Sequence, residues 1–140
     1  MHNNILIPLD GSELAEQSFD GIFELTTVNT TKIILLQVLE IFTLSSSSKD
    51  VEYDRLKEKT EIYLNDIKAK LEKKGVKDVE LIVKRGKPSA EICSYTERED
   101  VDCVAMTTHG LGGMMSWALG SVTDKVVRHS SKPVLVFRSK

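Results

Sequence analysis

The chain has 140 residues, 41% of them hydrophobic, and its 19 basic against 21 acidic residues leave a formal charge of −2. That length suits one domain, 1–140, with a core that needs no metal or disulfide staple, and the scattered basic residues exclude a nucleic-acid footprint. No apolar run approaches the ~18 residues of a membrane helix, the start MHNNILIPLD lacks a signal-peptide pattern, and Cys93 and Cys103 are too few for a disulfide framework, so the expectation is a cytoplasmic protein without membrane insertion.

Ile5-Leu6-Ile7-Pro8-Leu9 is continuously apolar and ends at Asp10-Gly11-Ser12, the pattern of a strand buried on both faces and then a turn. Ser12 is a natural N-cap, and Ala15, Phe19, Ile22 and Phe23 recur at the spacing of one helix with one apolar face. Lys32 to Val38 reads as a second buried strand, followed by a loop centred on Ser45 to Ser48. From Asp50 to Lys74 the pattern predicts a long amphipathic helix burying Leu56, Tyr63, Leu64, Ile67 and Leu71, with Gly75 as its C-terminal stop.

Val79 to Val83 is a third strand, and Gly86-Lys87-Pro88-Ser89 turns into a short helix with Ala90, Ile92, Cys93 and Tyr95. Gly86-Lys87 does not make a P-loop, which needs glycine at the position of Leu81 and Ser or Thr where Pro88 stands. Asp102 to Met106 is a fourth strand, Ser121 to His129 a helix carrying Val122, Val126 and Val127, and Val134 to Phe137 a fifth strand. Apolar strands alternating with helices specify an α/β sandwich with a parallel sheet covered on both faces.

Ligands of such sheets bind beyond the carboxyl ends of the strands, where the strand order reverses. Two segments lie there: Pro8 to Ser12, and the stretch THGLGGMMSWALGS, residues 107–120, which contains no Asp, Glu, Lys or Arg. Its glycines allow close backbone approach, and Gly120-Ser121 opens a helix whose N–H groups favour a phosphate. The same residues also fit a plain glycine-rich connection with Ser121 as N-cap. Asp10 fits a ligand contact or simple Asp-Gly turn chemistry. His109 fits a structural or ligand contact, while His2 and His129 read as surface residues and the two cysteines as small buried hydrophobes.

DGS after the first strand, THG…GS after the fourth, and the ending GSVTDKVVRHSSKPVLVF together resemble the universal stress protein family. The resemblance implies a five-stranded sheet in the order 3-2-1-4-5. It also implies a nucleotide site built on the motif G-2x-G-9x-G-[S/T], in which Gly110, Gly120 and Ser121 match and Thr107 replaces the first glycine. By that resemblance Asp10 approaches the nucleoside and could help hold Mg²⁺ once a nucleotide is bound, Val38 meets the adenine, and Met106 and Thr107 lie beside the ribose and adenine. Gly110, Gly120, Ser121 and Val122 would hold phosphates. Pro8, Leu9, His109, Gly113 and Thr123 complete the implied set.

The expected ligand is ATP with Mg²⁺, or another adenine nucleotide. Leu111 stands where many family loops carry Arg or Lys, so phosphate charge falls to backbone dipoles, Mg²⁺, Lys125 or Arg128, and a less charged nucleotide also fits. Little or no turnover beyond slow ATP hydrolysis is expected, so the reading is a stress-response regulator and not an enzyme. The last strand, Val134 to Phe137, would join a homodimer. The alternative is a nucleotide-free dimeric interaction protein working through protein contacts, with Met114, Met115, Trp117 and Leu119 as an apolar patch.

Overall fold

The computed structural model describes residues 3–41, 46–108 and 119–139, and these form one five-stranded parallel sheet in the order β3-β2-β1-β4-β5. The strands are β1 (Asn3–Leu9), β2 (Thr31–Leu39), β3 (Asp78–Arg85), β4 (Cys103–Thr108) and β5 (Val134–Arg138). The expected order holds, and each strand is somewhat longer than its apolar run. Most of the extra residues are polar, such as Thr31, Asp78 and Arg138, and they extend the hydrogen-bonded ladder beyond the apolar run, while Leu39 at the end of β2 is apolar and buried.

Strand parity divides the core into two layers. Ile5, Ile7 and Leu9 of β1 and Ile33 and Leu35 of β2 pack beneath α3 (Ser46–Lys73), whose Leu64, Ile67 and Leu71 close that face. Leu6, Ile34, Leu36, Val104 and Met106 turn the other way, against Ile92 of α4 (Pro88–Tyr95) and Val126 of α5 (Ser121–His129).

The first helix differs from the single amphipathic helix expected. It is two pieces, α1 (Glu13–Glu16) and α2 (Ser18–Leu25), joined at Gln17. Gln17 donates its N–H to the Leu14 carbonyl at 3.1 Å, a tightened i→i−3 bond, while the Ser18 hydroxyl donates to the Ala15 carbonyl at 2.9 Å. A serine bonding back to the preceding turn competes with the regular ladder and bends it. A short 3₁₀ turn at Val28–Thr30, unannounced by any apolar period, then leads into β2.

The serine run is the second correction. Ser46, Ser47 and Ser48 lie in the first turn of α3, not at the middle of a loop. Serine has moderate helix propensity and suits helix starts, so polarity alone placed the boundary too late. The other end follows the sequence closely. Gly75 adopts φ +103, its N–H bonds the Glu72 carbonyl, and the Val76 N–H bonds the Leu71 carbonyl at 3.1 Å. That is a Schellman cap, completed by burial of Val76 in the same cluster as Leu71.

Cys93 and Cys103 are half-buried free thiols, and burial pushes both above the ordinary thiol range, so they stay protonated at neutral pH. His129 is exposed at the end of α5, and His2 lies outside the described residues. No helix among the described residues is long and apolar enough to cross a membrane.

Candidate functional site

β1 has β2 on one side and β4 on the other, so the chain connections leave it in opposite directions and a crevice opens at its carboxyl end. A cavity of about 290 Å³ fills that crevice. Pro8, Leu9 and Asp10 come from the end of β1, Met106 and Thr107 from β4, Val38 from β2, and Val122 and Thr123 from the first turn of α5. Eight of the residues named from the sequence therefore meet in one cavity. Gly120 and Ser121 stand exposed at the start of α5, outside its lining. His109, Gly110 and Gly113 lie outside the described residues, as do Met114, Met115 and Trp117 of the expected apolar patch, while Leu119 is half-buried.

Four lining residues were missed: Ala15, Leu36, Pro88 and Ile92. Their signals were present in the sequence. Leu36 shares a strand face with Val38 by parity, and Pro88 and Ile92 begin the helix that leaves the carboxyl end of β3. The wall they make is apolar, as small-molecule sites generally are.

The turn after β1 is held by side chains. Asp10 Oδ1 accepts hydrogen bonds from the Ser12 N–H at 2.9 Å and the Ser12 hydroxyl at 2.5 Å, and Ser12 Oγ accepts from the Ala15 N–H at 3.2 Å. Gly11 takes φ +87, which a side chain would strain. Asp10 thus does cap the turn, as the simpler reading had it. It also lines the cavity, with Oδ2 unengaged by any described residue. On the far side of α1, the Tyr63 hydroxyl donates to Glu16 at 2.8 Å, and burial with this bond raises the phenol far above its usual pKa.

The opposite wall is tied to the sheet by one contact. The Gly120 N–H donates to Thr108 Oγ1 at 3.3 Å, which sets the start of α5 against the end of β4. Gly120, and not Ser121, is the N-cap. Its φ is −61 and ψ 157, and a Cβ built there meets nothing within 4 Å. Neither backbone strain nor packing within the described residues requires glycine at this position. The N–H groups of Ser121, Val122 and Thr123 begin the helix and have no partner within it.

Two buried polar atoms near this end of the sheet, Thr107 Oγ1 and Gln37 Oε1, have no hydrogen-bond partner among the described residues. No group of three or more His, Cys, Asp or Glu side chains among the described residues could hold a metal by itself. A hard cation such as Mg²⁺, which keeps several waters and takes one or two carboxylates together with phosphate oxygens, would find a single carboxylate here, that of Asp10.

Comparison with known proteins gives consistent matches. The model of the universal stress protein family matches residues 1–138. Universal stress protein MJ0577 of Methanocaldococcus jannaschii is 34% identical over 158 residues, covering 100% of this chain and 97% of its own length. Its solved structure superposes with a TM-score of 0.84, covering 100% of this chain and 98% of that one. A putative universal stress protein of Staphylococcus aureus strain USA300 is 32% identical, covering 99% of this chain and 86% of its own. A universal stress protein family member from Arabidopsis thaliana, solved with AMP bound, shares the fold at 21% identity and a TM-score of 0.73, covering 99% of this chain and 92% of that one.

Proposed function

The chain belongs to the universal stress protein family, and from that premise we propose that it is a stress-related regulatory protein that binds an adenine nucleotide in the cleft between β1 and β4. The base fits the apolar wall of Val38, Pro88, Ile92 and Met106, and the phosphate end lies toward the first turn of α5. The observation that carries this reading is Gly120. A glycine that neither the backbone nor packing among the described residues needs, at the head of a helix whose first N–H groups have no partner within it, leaves room for a ligand's phosphate. The ligand is ATP with Mg²⁺ or another adenine nucleotide. The metal would supply positive charge beside the phosphates, and Asp10 would give it one carboxylate ligand.

The protein binds and signals without efficient turnover, works in the cytoplasm, and pairs with a second copy through β5. The support for pairing is that β5 stands at the edge of the sheet formed by the described residues.

Calorimetric titration of nucleotide-stripped protein with ATP and Mg²⁺ tests the reading, beside Gly120→Asp. Aspartate is a good N-cap and its Cβ has room, so the variant folds, but its carboxylate meets the phosphate. Binding by the parent that weakens at least about a hundredfold in the variant supports the proposal. A folded parent that binds no adenine nucleotide would leave the family's protein-contact role as the function.

A further inference from the structure

β3 is the edge of the described sheet opposite to β5. Edge strands are commonly shielded from a second chain by shortness, a proline, a bulge or a charge at mid-strand. β3 runs for eight residues, DVELIVKR, without proline or glycine. It pairs with β2 at every position from Asp78 to Arg85, so no bulge bends it away. Its middle residues, Leu81, Ile82 and Val83, are apolar and half-buried. α3 packs on the face that holds Leu81 and Val83, while Ile82 turns to the other layer. Beside the strand a recess of about 420 Å³ stays open, with Lys57, Glu61 and Asn65 of α3 on one side and Leu81 to Val83 on the other.

The order of residues along this edge is complementary to itself. When two copies pair antiparallel about a two-fold axis perpendicular to the sheet, each residue opposes a partner residue of the same parity. A register centred on Ile82 sets Ile82 against the partner's Ile82, Leu81 against the partner's Val83, and Glu80 against the partner's Lys84. Symmetry makes the last two contacts twice. Neighbouring registers are worse. Centring on Glu80 opposes two carboxylates. Centring on Leu81 pairs Asp78 with Lys84 but sets Lys77 against Arg85 and Glu80 against Ile82. Centring on Val83 sets Leu81 against Arg85. Lys84 is exposed and makes no ion pair among the described residues. Glu80 is already held by Arg98 at 3.0 Å and Lys32 at 3.1 Å, so its carboxylate is fixed before a second chain arrives. Lys57 and Glu61, 4.0 Å apart, put both signs of charge beside the recess, so two copies of α3 do not oppose one net charge.

We infer that β3 is an interface for a second copy of this chain, joined edge to edge by antiparallel β3 strands in the register centred on Ile82. The contact is separate from β5 and independent of any nucleotide.

The experiment measures assembly mass by sedimentation equilibrium over a concentration series for the parent, Lys84→Glu and Lys84→Arg. Position 84 is exposed, so both variants keep the parent's melting temperature. Lys84→Glu opposes carboxylates twice and raises the dissociation constant of the β3 contact at least about tenfold, whereas Lys84→Arg retains it. A dimer that falls to monomer has β3 as its contact, and a larger assembly that falls to dimer uses β3 in addition to another edge. Disulfide trapping then reads the register in Ile82→Cys and Leu81→Cys, with the parent's own Cys93 and Cys103 as background. Directly opposed Cα atoms lie about 4.5–5.5 Å apart, within disulfide range, so Ile82→Cys is trapped as a covalent dimer. Leu81→Cys meets its own copy only on the diagonal, at about 7–8 Å, and is not. A parent that is monomeric at every concentration overturns the inference. So does an assembly mass unchanged in Lys84→Glu, and so does Ile82→Cys trapping no better than Leu81→Cys.

Discussion

The two ends of the sheet are built on opposite terms. At the amino end, on the α4 side, Arg98 makes paired hydrogen bonds to Glu80 at 3.0 and 3.2 Å and to Asp100 at 2.8 and 2.6 Å. Lys32 adds a contact to Glu80 at 3.1 Å, and Lys132 donates to the Arg98 and Val101 carbonyls. At the carboxyl end there is a cavity, one capping acid, a helix start, and two buried polar atoms without partners among the described residues. Among the described residues the first end is satisfied internally, while the second keeps polar groups free beside a cavity. Parallel α/β sheets place ligands at the second kind of end, and the cavity with its unpartnered groups among the described residues agrees with that rule.

The strongest way to break this contrast is Arg98→Ala. It leaves Glu80 and Asp100 facing each other without the guanidinium, so stability falls by about 2 kcal/mol, read as a lower urea midpoint with unchanged m-value, while nucleotide affinity holds. A parallel loss of affinity would show that the two ends are coupled. Thr107→Val acts at the other end and in the other direction. It replaces a buried hydroxyl that has no partner among the described residues with a methyl group of similar shape, so stability rises by about 1 kcal/mol. A loss would mean that the hydroxyl has a partner after all.

A smaller effect separates the ends by pH. The Arg98 guanidinium holds the Asp100 carboxyl down to about 2, and it lowers Glu80 as well. A depressed carboxyl stabilises the fold above its unfolded pKa of about 3.9, and that contribution is lost as pH falls from there toward 2. Thermal melts between pH 5 and 2 should therefore decline most steeply in that window, and Arg98→Ala should flatten the decline. Asp100 is substantially exposed, which keeps the effect modest. The smallest change is Gly120→Ser. Serine caps a helix slightly better than glycine, so the melting temperature stays or rises by the equivalent of a few tenths of a kcal/mol, while nucleotide affinity drops.

Much of this was legible in the sequence, for identifiable reasons. Strands buried on both faces must be apolar throughout, so Ile5 to Leu9 and Lys32 to Val38 stood out, and Gly75 marked its helix end because only glycine enters that cap easily. Boundaries set by hydrogen bonds were not legible. The break at Gln17 depends on where the Ser18 hydroxyl turns, and the start of α3 falls in a serine run with no apolar period. The cavity was half legible. Residues following β1 and β4 could be placed by the switch-point rule, whereas the α4 wall of Pro88 and Ile92 needed the third dimension.

One contact away from the cleft reaches beyond this chain. The ring of Phe137 in β5 lies against Gly21 in α2, where an added Cβ would overlap the ring. Position 21 can therefore enlarge only if position 137 shrinks, and in divergent sequences of this type the two should change together. Such a correlated pair would sort relatives by how α2 sits against the sheet edge, whatever each of them binds.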